Sequence, residues 1–111
     1  MQTLNLINVD ESDLKWNVSF FPDGEHQISL EEFSRKDDVL VKCRITNAND
    51  LFILMQVADI LNRHGVTWDL YIYYLMGMQM DRVMDFNRPF TLSVICNIIK
   101  GFGCNSVDIL E

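Results

Sequence analysis

The sequence has little positive charge and no long apolar run. Lys and Arg total 9 against 16 Asp and Glu, so the formal net charge is -7 at pH 7. A protein that follows nucleic-acid phosphates needs a basic surface, so this balance predicts no nucleic-acid partner. Polar residues interrupt the apolar stretches before the roughly 18 residues that a membrane-spanning helix requires. The chain does not open with a basic segment followed by an apolar one, as a secretory signal would. We therefore expect no membrane partner either.

Cysteine and histidine are also scarce. The three cysteines, Cys43, Cys96 and Cys104, form no CxxC pair, and their odd number cannot close into a full set of disulfides. We expect each to be a small buried apolar residue in a reducing, cytoplasmic setting. The two histidines, His26 and His64, lie in separate segments. The chain has no Ser-His-Asp or Cys-His arrangement, no zinc-ligand spacing and no phosphate-binding glycine loop, so no catalytic residue is predicted within it.

Proline and glycine are few, and the place where they occur together is informative. The segment PDG at 22–24 separates two apolar, alternating stretches, 14–21 and 25–30. Proline presets φ in a turn, and glycine accepts the positive φ that other residues resist. The pattern predicts a β-hairpin with the aromatic pair Phe20 and Phe21 beside its turn.

The rest of the chain alternates between strand and helix patterns. Apolar alternation or continuous apolar stretches predict strands at 3–9, 39–45, 67–75 and 106–111. Helical spacing predicts a helix that begins at Asn49 or Asp50, stops at Gly65, and buries Leu51, Leu54, Met55, Ala58 and Leu61. A second predicted helix begins at Pro89 or Thr91, ends at Gly103, and lines one face with Leu92, Ile95, Ile98, Ile99 and Phe102.

This order of elements predicts one α/β domain over residues 1–111, with a parallel sheet and right-handed crossovers. Ligands in such sheets bind at the carboxyl ends of the strands, which is where the 76–88 loop would lie.

Five short motifs occur in the order typical of one enzyme family. They are FPDGE at 21–25, NANDL at 47–51, MQMDR at 78–82, PFTL at 89–92, and Glu111 at the end of a strand. They match that family's FPDGE, NPVNDNL, YARQDR and PISAKL segments and the Asp of its DLH motif. The chain therefore resembles the N-terminal half of ribose-phosphate pyrophosphokinases. The resemblance implies a phosphoribosyltransferase-like parallel sheet with flanking helices and a protruding β-hairpin, the C-terminal catalytic half being absent.

The resemblance also implies a function. Enzymes of this family transfer pyrophosphate from ATP to ribose 5-phosphate, and the hairpin tip of one subunit lines the adenine pocket of its neighbour. The implied ATP-binding residues are Phe21, Asp23, Glu25, Gln79, Met80, Asp81 and Arg82. Glu111 would bind Mg²⁺, the acceptor would be a ribose phosphate, and the chain would form a homo-oligomer through this domain. Without the rest of the phosphate clamp, the chain alone is expected to be inactive.

The match departs from the family at informative points. Gln79 and Met80 replace an Arg and a Gln that contact ATP in the family. The replacement removes a charged guanidinium group and a side-chain amide. The family's first helix is missing, because residues 10–13 are too few to cover a sheet face; the topology is simpler there, or another chain covers that face. Two other functions remain open: a catalytically inactive, synthetase-like regulatory or interaction protein, and an acidic α/β interaction domain whose aromatic hairpin is the binding edge.

Overall fold

The protein is an α/β structure with a hairpin attached. The computed structural model describes residues 1–76, 87 and 91–110. Its strands are β1 (Gln2–Asn5), β2 (Trp16–Phe20), β3 (His26–Leu30), β4 (Val39–Ile45), β5 (Trp68–Leu75) and β6 (Ser106–Ile109). Its helices are α1 (Ala48–Arg63) and α2 (Thr91–Lys100), with a short 3-10 helix at Val9–Glu11. The predicted α/β class, with strands and helices alternating from β4 onward, is confirmed.

Four strands form one parallel sheet in the order β1-β4-β5-β6, and β2 and β3 form a separate antiparallel pair. The chain moves in the same direction across the sheet from β4 through α1 to β5, and from β5 through α2 to β6. Because such crossovers are right-handed, both helices lie on the same face. Alternate residues of β4 and β5 on that face are buried: Val39, Val41, Cys43, Ile45, Trp68, Leu70 and Ile72.

Helix α1 begins earlier than the sequence predicted. Its N-cap is Asn47, not Asn49 or Asp50. The Asn47 side chain accepts a hydrogen bond from the Asp50 amide at 2.9 Å, and Asp50 accepts one from the Thr46 amide at 2.9 Å. This reciprocal capping satisfies donors at the helix start, which a count of apolar residues cannot locate. The predicted stop is confirmed, since Gly65 has φ 69° directly after the helix.

Helix α2 packs with the predicted apolar face. Ile95, Ile99 and Phe102 are buried, while Leu92 and Ile98 are half-buried. The helix ends at Lys100, before the predicted Gly103. The reason is that the amides of Gly101 and Phe102 bond three residues back, to Ile98 and Ile99, so the last turn tightens.

Two other predictions are corrected. The first strand ends at Asn5 instead of residue 9, because the Asn5 side chain accepts hydrogen bonds from the Ile7 and Asn8 amides at 3.0 Å and turns the chain. Met55, predicted in the core, is 45% exposed and lies beside the hairpin. It directly follows Leu54 on α1, and neighbours in a helix point about 100° apart.

Adjacent positions on α1 provide a matched stability test. Leu54 is 1% exposed and Met55 is 45% exposed. We expect Leu54→Ala to lower the free energy of unfolding by about 2–5 kcal/mol, because it leaves a cavity in the core. Met55→Ala should change it by about 0.5 kcal/mol, as surface substitutions do. Urea titration followed by circular dichroism measures both. Equal losses would contradict the packing of α1 described above.

Candidate functional site

The hairpin tip is a tightly organised turn. The Gly24 amide donates to the Phe21 carbonyl at 2.8 Å, and the Phe21 amide donates to the Glu25 carbonyl at 2.9 Å. Gly24 has φ 89°, which completes a three-residue hairpin loop with a left-handed glycine. One carboxylate oxygen of Asp23, Oδ1, accepts from the Glu25 amide at 3.0 Å. The tip is therefore held in one shape by its own backbone and by Asp23.

The side chains of the two phenylalanines beside the turn lie on opposite sides of the hairpin. Phe20 packs edge-on against His26 with ring centroids 4.4 Å apart and is 69% exposed. Phe21 is 47% exposed and lies on the side that faces α1. Exposure of both rings at one tip is unusual for residues that only support a turn, because large apolar side chains are commonly buried.

Phe21 belongs to a groove of about 500 Å³ between the hairpin and α1, here named the hairpin groove. Its walls come from the hairpin and from one side of the helix: Phe21, Glu25, Gln27 and Ile28, and Phe52, Met55, Gln56, Asp59, Ile60 and Arg63. Aromatic and thioether surface is thus combined with carboxylates. Asp59 and Arg63 form an exposed ion pair at 3.0 Å. The groove can accept a flat apolar group with a hydrogen-bond donor at its edge.

Gln56 fixes the hairpin to α1. Its Oε1 accepts a hydrogen bond from the Ile28 amide at 2.9 Å, and its Nε2 donates to the His26 carbonyl at 3.0 Å. These two backbone groups point away from β2. The Gln56 side-chain amide therefore makes the hydrogen bonds to β3 that a neighbouring strand would make. Ile28 itself is 3% exposed and joins the core. The groove wall that carries Phe21 is therefore positioned by both hydrogen bonding and apolar packing.

The structure brings together only some of the predicted site residues. Phe21 and Glu25 share the hairpin groove, whereas Asp23 lies at the turn and shapes it. The predictions for Gln79, Met80, Asp81, Arg82 and Glu111 fall outside the described residues. Sequence reasoning missed Phe52, Met55 and Gln56. Helical spacing relative to Leu51 could have placed Phe52 off the core side, but no sequence signal pairs Gln56 with the hairpin.

The cysteines do not form a reactive or metal-binding site. Burial, and secondarily the charge of Asp50, raises the pKa of the Cys43 thiol to about 12, so it stays protonated near neutral pH. Burial also raises the pKa of Cys104. Cys96 and Cys104 are half-buried, so the predicted full burial holds only for Cys43.

The described residues also bear on metal-binding and membrane-spanning features. Among the described residues no group of three or more His, Cys, Asp or Glu side chains could hold a metal ion. In that same part of the chain, no helix is long and apolar enough to cross a membrane. The hairpin groove is taken as the candidate site because it contains the predicted residues Phe21 and Glu25.

These residues define a class of α/β protein. It has a parallel sheet and an aromatic hairpin tip that is held against the first long helix. No family model matches the chain. The chain is 31% identical over 100 residues to a ribose-phosphate pyrophosphokinase from Bacillus caldolyticus. It is 28% identical over 100 residues to a ribose-phosphate pyrophosphokinase from Oceanobacillus iheyensis. In each case 87% of this chain matches 32% of the relative, so the chain spans about a third of the length of the curated relatives it matches. The similarity supports a relationship to the N-terminal region of such enzymes.

Replacing Gln56 tests its contact with the hairpin. Gln56→Leu keeps the side chain's size but leaves two backbone groups of β3 without their partner, which costs about 1–3 kcal/mol of stability for a part-buried group. We expect faster hydrogen exchange at the Ile28 amide, measured by NMR. Gln27→Leu is the control, because Gln27 is exposed on the same strand. Unchanged protection of Ile28 in Gln56→Leu would show that the hairpin is held by other contacts.

Proposed function

We propose that this chain is the ATP-contacting N-terminal part of a ribose-phosphate pyrophosphokinase-like enzyme. The intact enzyme would transfer pyrophosphate from ATP to a ribose 5-phosphate-type acceptor in the cytoplasm. The observation that carries the proposal is the exposed, preorganised hairpin tip, where Phe21 and Glu25 face one groove. The similarity to ribose-phosphate pyrophosphokinases supplies the reaction type.

The chemistry of the tip suits adenine. The half-exposed ring of Phe21 offers a face on which a purine can stack. Glu25 offers carboxylate oxygens to the exocyclic amino group. Asp23 uses Oδ1 to hold the turn and has Oδ2 as a second acceptor. In this division of roles Phe21 supplies most of the affinity, Glu25 supplies selectivity for a base with an amino group, and Asp23 positions the other two.

The proposed site is shared between two copies. The tip of one copy closes over the adenine, and the segment that contains Gln79, Met80, Asp81 and Arg82 in the other copy contacts the phosphates. Arg82 is the cation of that set, whereas Gln79 and Met80 bring no charge. Mg²⁺ at Glu111 is part of the same proposal and would neutralise phosphate charge when bound.

A second candidate function follows from Gln79 and Met80. Loss of the charged fork and the amide at these positions favours a relative that keeps the fold and its contacts but not catalysis, and that regulates an active synthetase. ATP binding is weaker in this alternative, while association through the hairpin is retained. Activity of the full-length protein separates the two candidates.

Comparing substitutions at Phe21 and at its neighbour Phe20 tests the stacking role of Phe21. Base stacking on an aromatic side chain contributes about 1–3 kcal/mol, so Phe21→Ala should weaken ATP binding roughly 5- to 150-fold. Phe20→Ala is the matched control, because Phe20 packs on His26 at the other side of the hairpin. Isothermal titration calorimetry measures both variants against the unchanged chain. Equal affinities for all three proteins would rule out the proposed stacking.

The chain alone is expected to be inactive. Pyrophosphoryl transfer requires both substrates to be positioned around a metal-phosphate clamp, and the chain spans only 32% of each relative's length. We expect no AMP from ATP, ribose 5-phosphate and Mg²⁺ in a chromatographic assay. AMP formation above that of a heat-inactivated sample would overturn this expectation and assign catalytic groups to these 111 residues.

A further inference from the structure

A second cavity, which shares no residue with the hairpin groove, lies where β1 stops short of its neighbour β4. The pairing of the two strands ends at Asn5 and Lys42, whereas β4 continues to Ile45. The Leu6 amide makes the last bond between them, to the Lys42 carbonyl at 2.9 Å. Beyond that bond the end of β4 has no strand beside it, and Arg44 borders the resulting space.

The hairpin and the first turns of α1 close over this space and make a cavity of about 200 Å³, here named the β4 notch. Its apolar walls include Trp16, Val18 and Ile53, and its polar walls include His26, Arg44 and Asp50. The Trp16 ring is held in place, because its Nε1 donates to the Asn5 carbonyl at 2.8 Å. A water molecule takes about 30 Å³ in the liquid, so the notch has room for a small organic molecule.

His26 brings an unpaired polar atom to the notch. Its Nδ1 is buried and makes no hydrogen bond to any described residue. The residue is nevertheless fixed, since its carbonyl accepts from Gln56 at 3.0 Å and its ring packs edge-on against Phe20. The other histidine shows the common arrangement, with Nδ1 of His64 at 2.8 Å from the Ile60 carbonyl. Buried polar atoms without a partner are rare and costly, so Nδ1 of His26 points to a ligand group that the protein does not supply.

The charge that lacks a partner at the notch is positive. Oδ2 of Asp50 accepts hydrogen bonds from the Thr46 amide at 2.9 Å and from its hydroxyl at 2.6 Å, so this carboxylate already has donors. Arg44 is exposed, and among the described residues it forms no ion pair. A guanidinium group binds a carboxylate through two parallel hydrogen bonds. The notch therefore suits an anion, and the charge of Asp50 favours one negative charge over two.

We propose that the β4 notch binds a small aliphatic carboxylate of about two to four carbons. Its oxygens accept hydrogen bonds from Arg44 and from Nδ1–H of His26. Its alkyl end packs against Trp16, Val18 and Ile53. A nucleoside triphosphate does not fit a cavity of about 200 Å³. The proposal is therefore independent of the proposed function, and a variant of the hairpin groove such as Phe21→Ala leaves carboxylate binding unchanged.

An NMR titration of the full chain with sodium propionate tests the ligand. At constant pH, with sodium chloride holding the ionic strength constant, we expect saturable changes in the ring resonances of His26. A ligand with so few non-hydrogen atoms should have a dissociation constant in the millimolar range. His64 is the internal reference and should not respond, because its Nδ1 already has a partner. Sodium phosphate, which carries more negative charge, should bind more weakly than propionate.

Substitutions assign the binding to the notch. Arg44→Gln should weaken propionate binding about 10- to 100-fold, the usual effect of losing a hydrogen bond between charged groups. Lys42→Gln is the matched control, because it removes the same charge from the same strand at a position that does not border the notch. His26→Phe keeps a ring beside Phe20 but removes the nitrogen, so it should abolish binding. His26→Asn keeps a side-chain donor and should retain part of it.

Four outcomes would overturn the proposal. They are an absence of saturable change at His26 well above millimolar propionate, equal effects of Arg44→Gln and Lys42→Gln, and tighter binding of phosphate than of propionate. The fourth is a response at Tyr73 and Tyr74 in place of His26, which would put the anion in the separate depression that these residues share with Arg44. Circular dichroism of each variant verifies folding, and the exposed Arg44 keeps the test available if a His26 variant unfolds.

Discussion

The handedness of the crossovers determines on which face of the sheet the helices and the hairpin lie. Right-handed connections from β4 to β5 and from β5 to β6 place α1 and α2 on one face of the sheet. The hairpin joins the same layer by packing Ile28 into the core beside α1. One side of the molecule is therefore thick and carries the hairpin groove. The other side is a strand surface with mixed side chains: Arg44, Ser106, Asp108 and Leu110 are exposed, and Tyr71 and Tyr73 are half-buried.

The architecture could be predicted because the apolar periods are strong. Val39 to Ile45 and Trp68 to Leu75 alternate or run apolar as central strands do, and α2 carries a clear apolar stripe. Boundaries were less predictable, because side-chain hydrogen bonds set them. Asn47 and Asp50 cap α1 upstream of its first buried residue, and the Asn5 side chain ends β1 by accepting hydrogen bonds from the Ile7 and Asn8 amides.

The candidate site was predictable only where its residues are contiguous. Phe21 and Glu25 stand in one short motif, so a single turn brings both to the groove. Gln56 and Met55 reach the same groove from a helix that begins more than twenty residues later in the chain. Their role depends on how the hairpin docks, and a tertiary contact of this kind leaves no local periodicity. The spacing of Met55 fits a helical apolar stripe, which is why the sequence predicts it in the core. The hairpin covers only part of that side of α1, so Met55 is exposed.

The bidentate amide of Gln56 also has a consequence for cooperativity. An isolated two-stranded ribbon is at best marginally stable in water. Here the ribbon's outer strand shares its hydrogen bonds with the middle of a long helix. Opening of the hairpin therefore also removes contacts from α1. We expect the hairpin and α1 to unfold together as one cooperative unit, and not the hairpin alone.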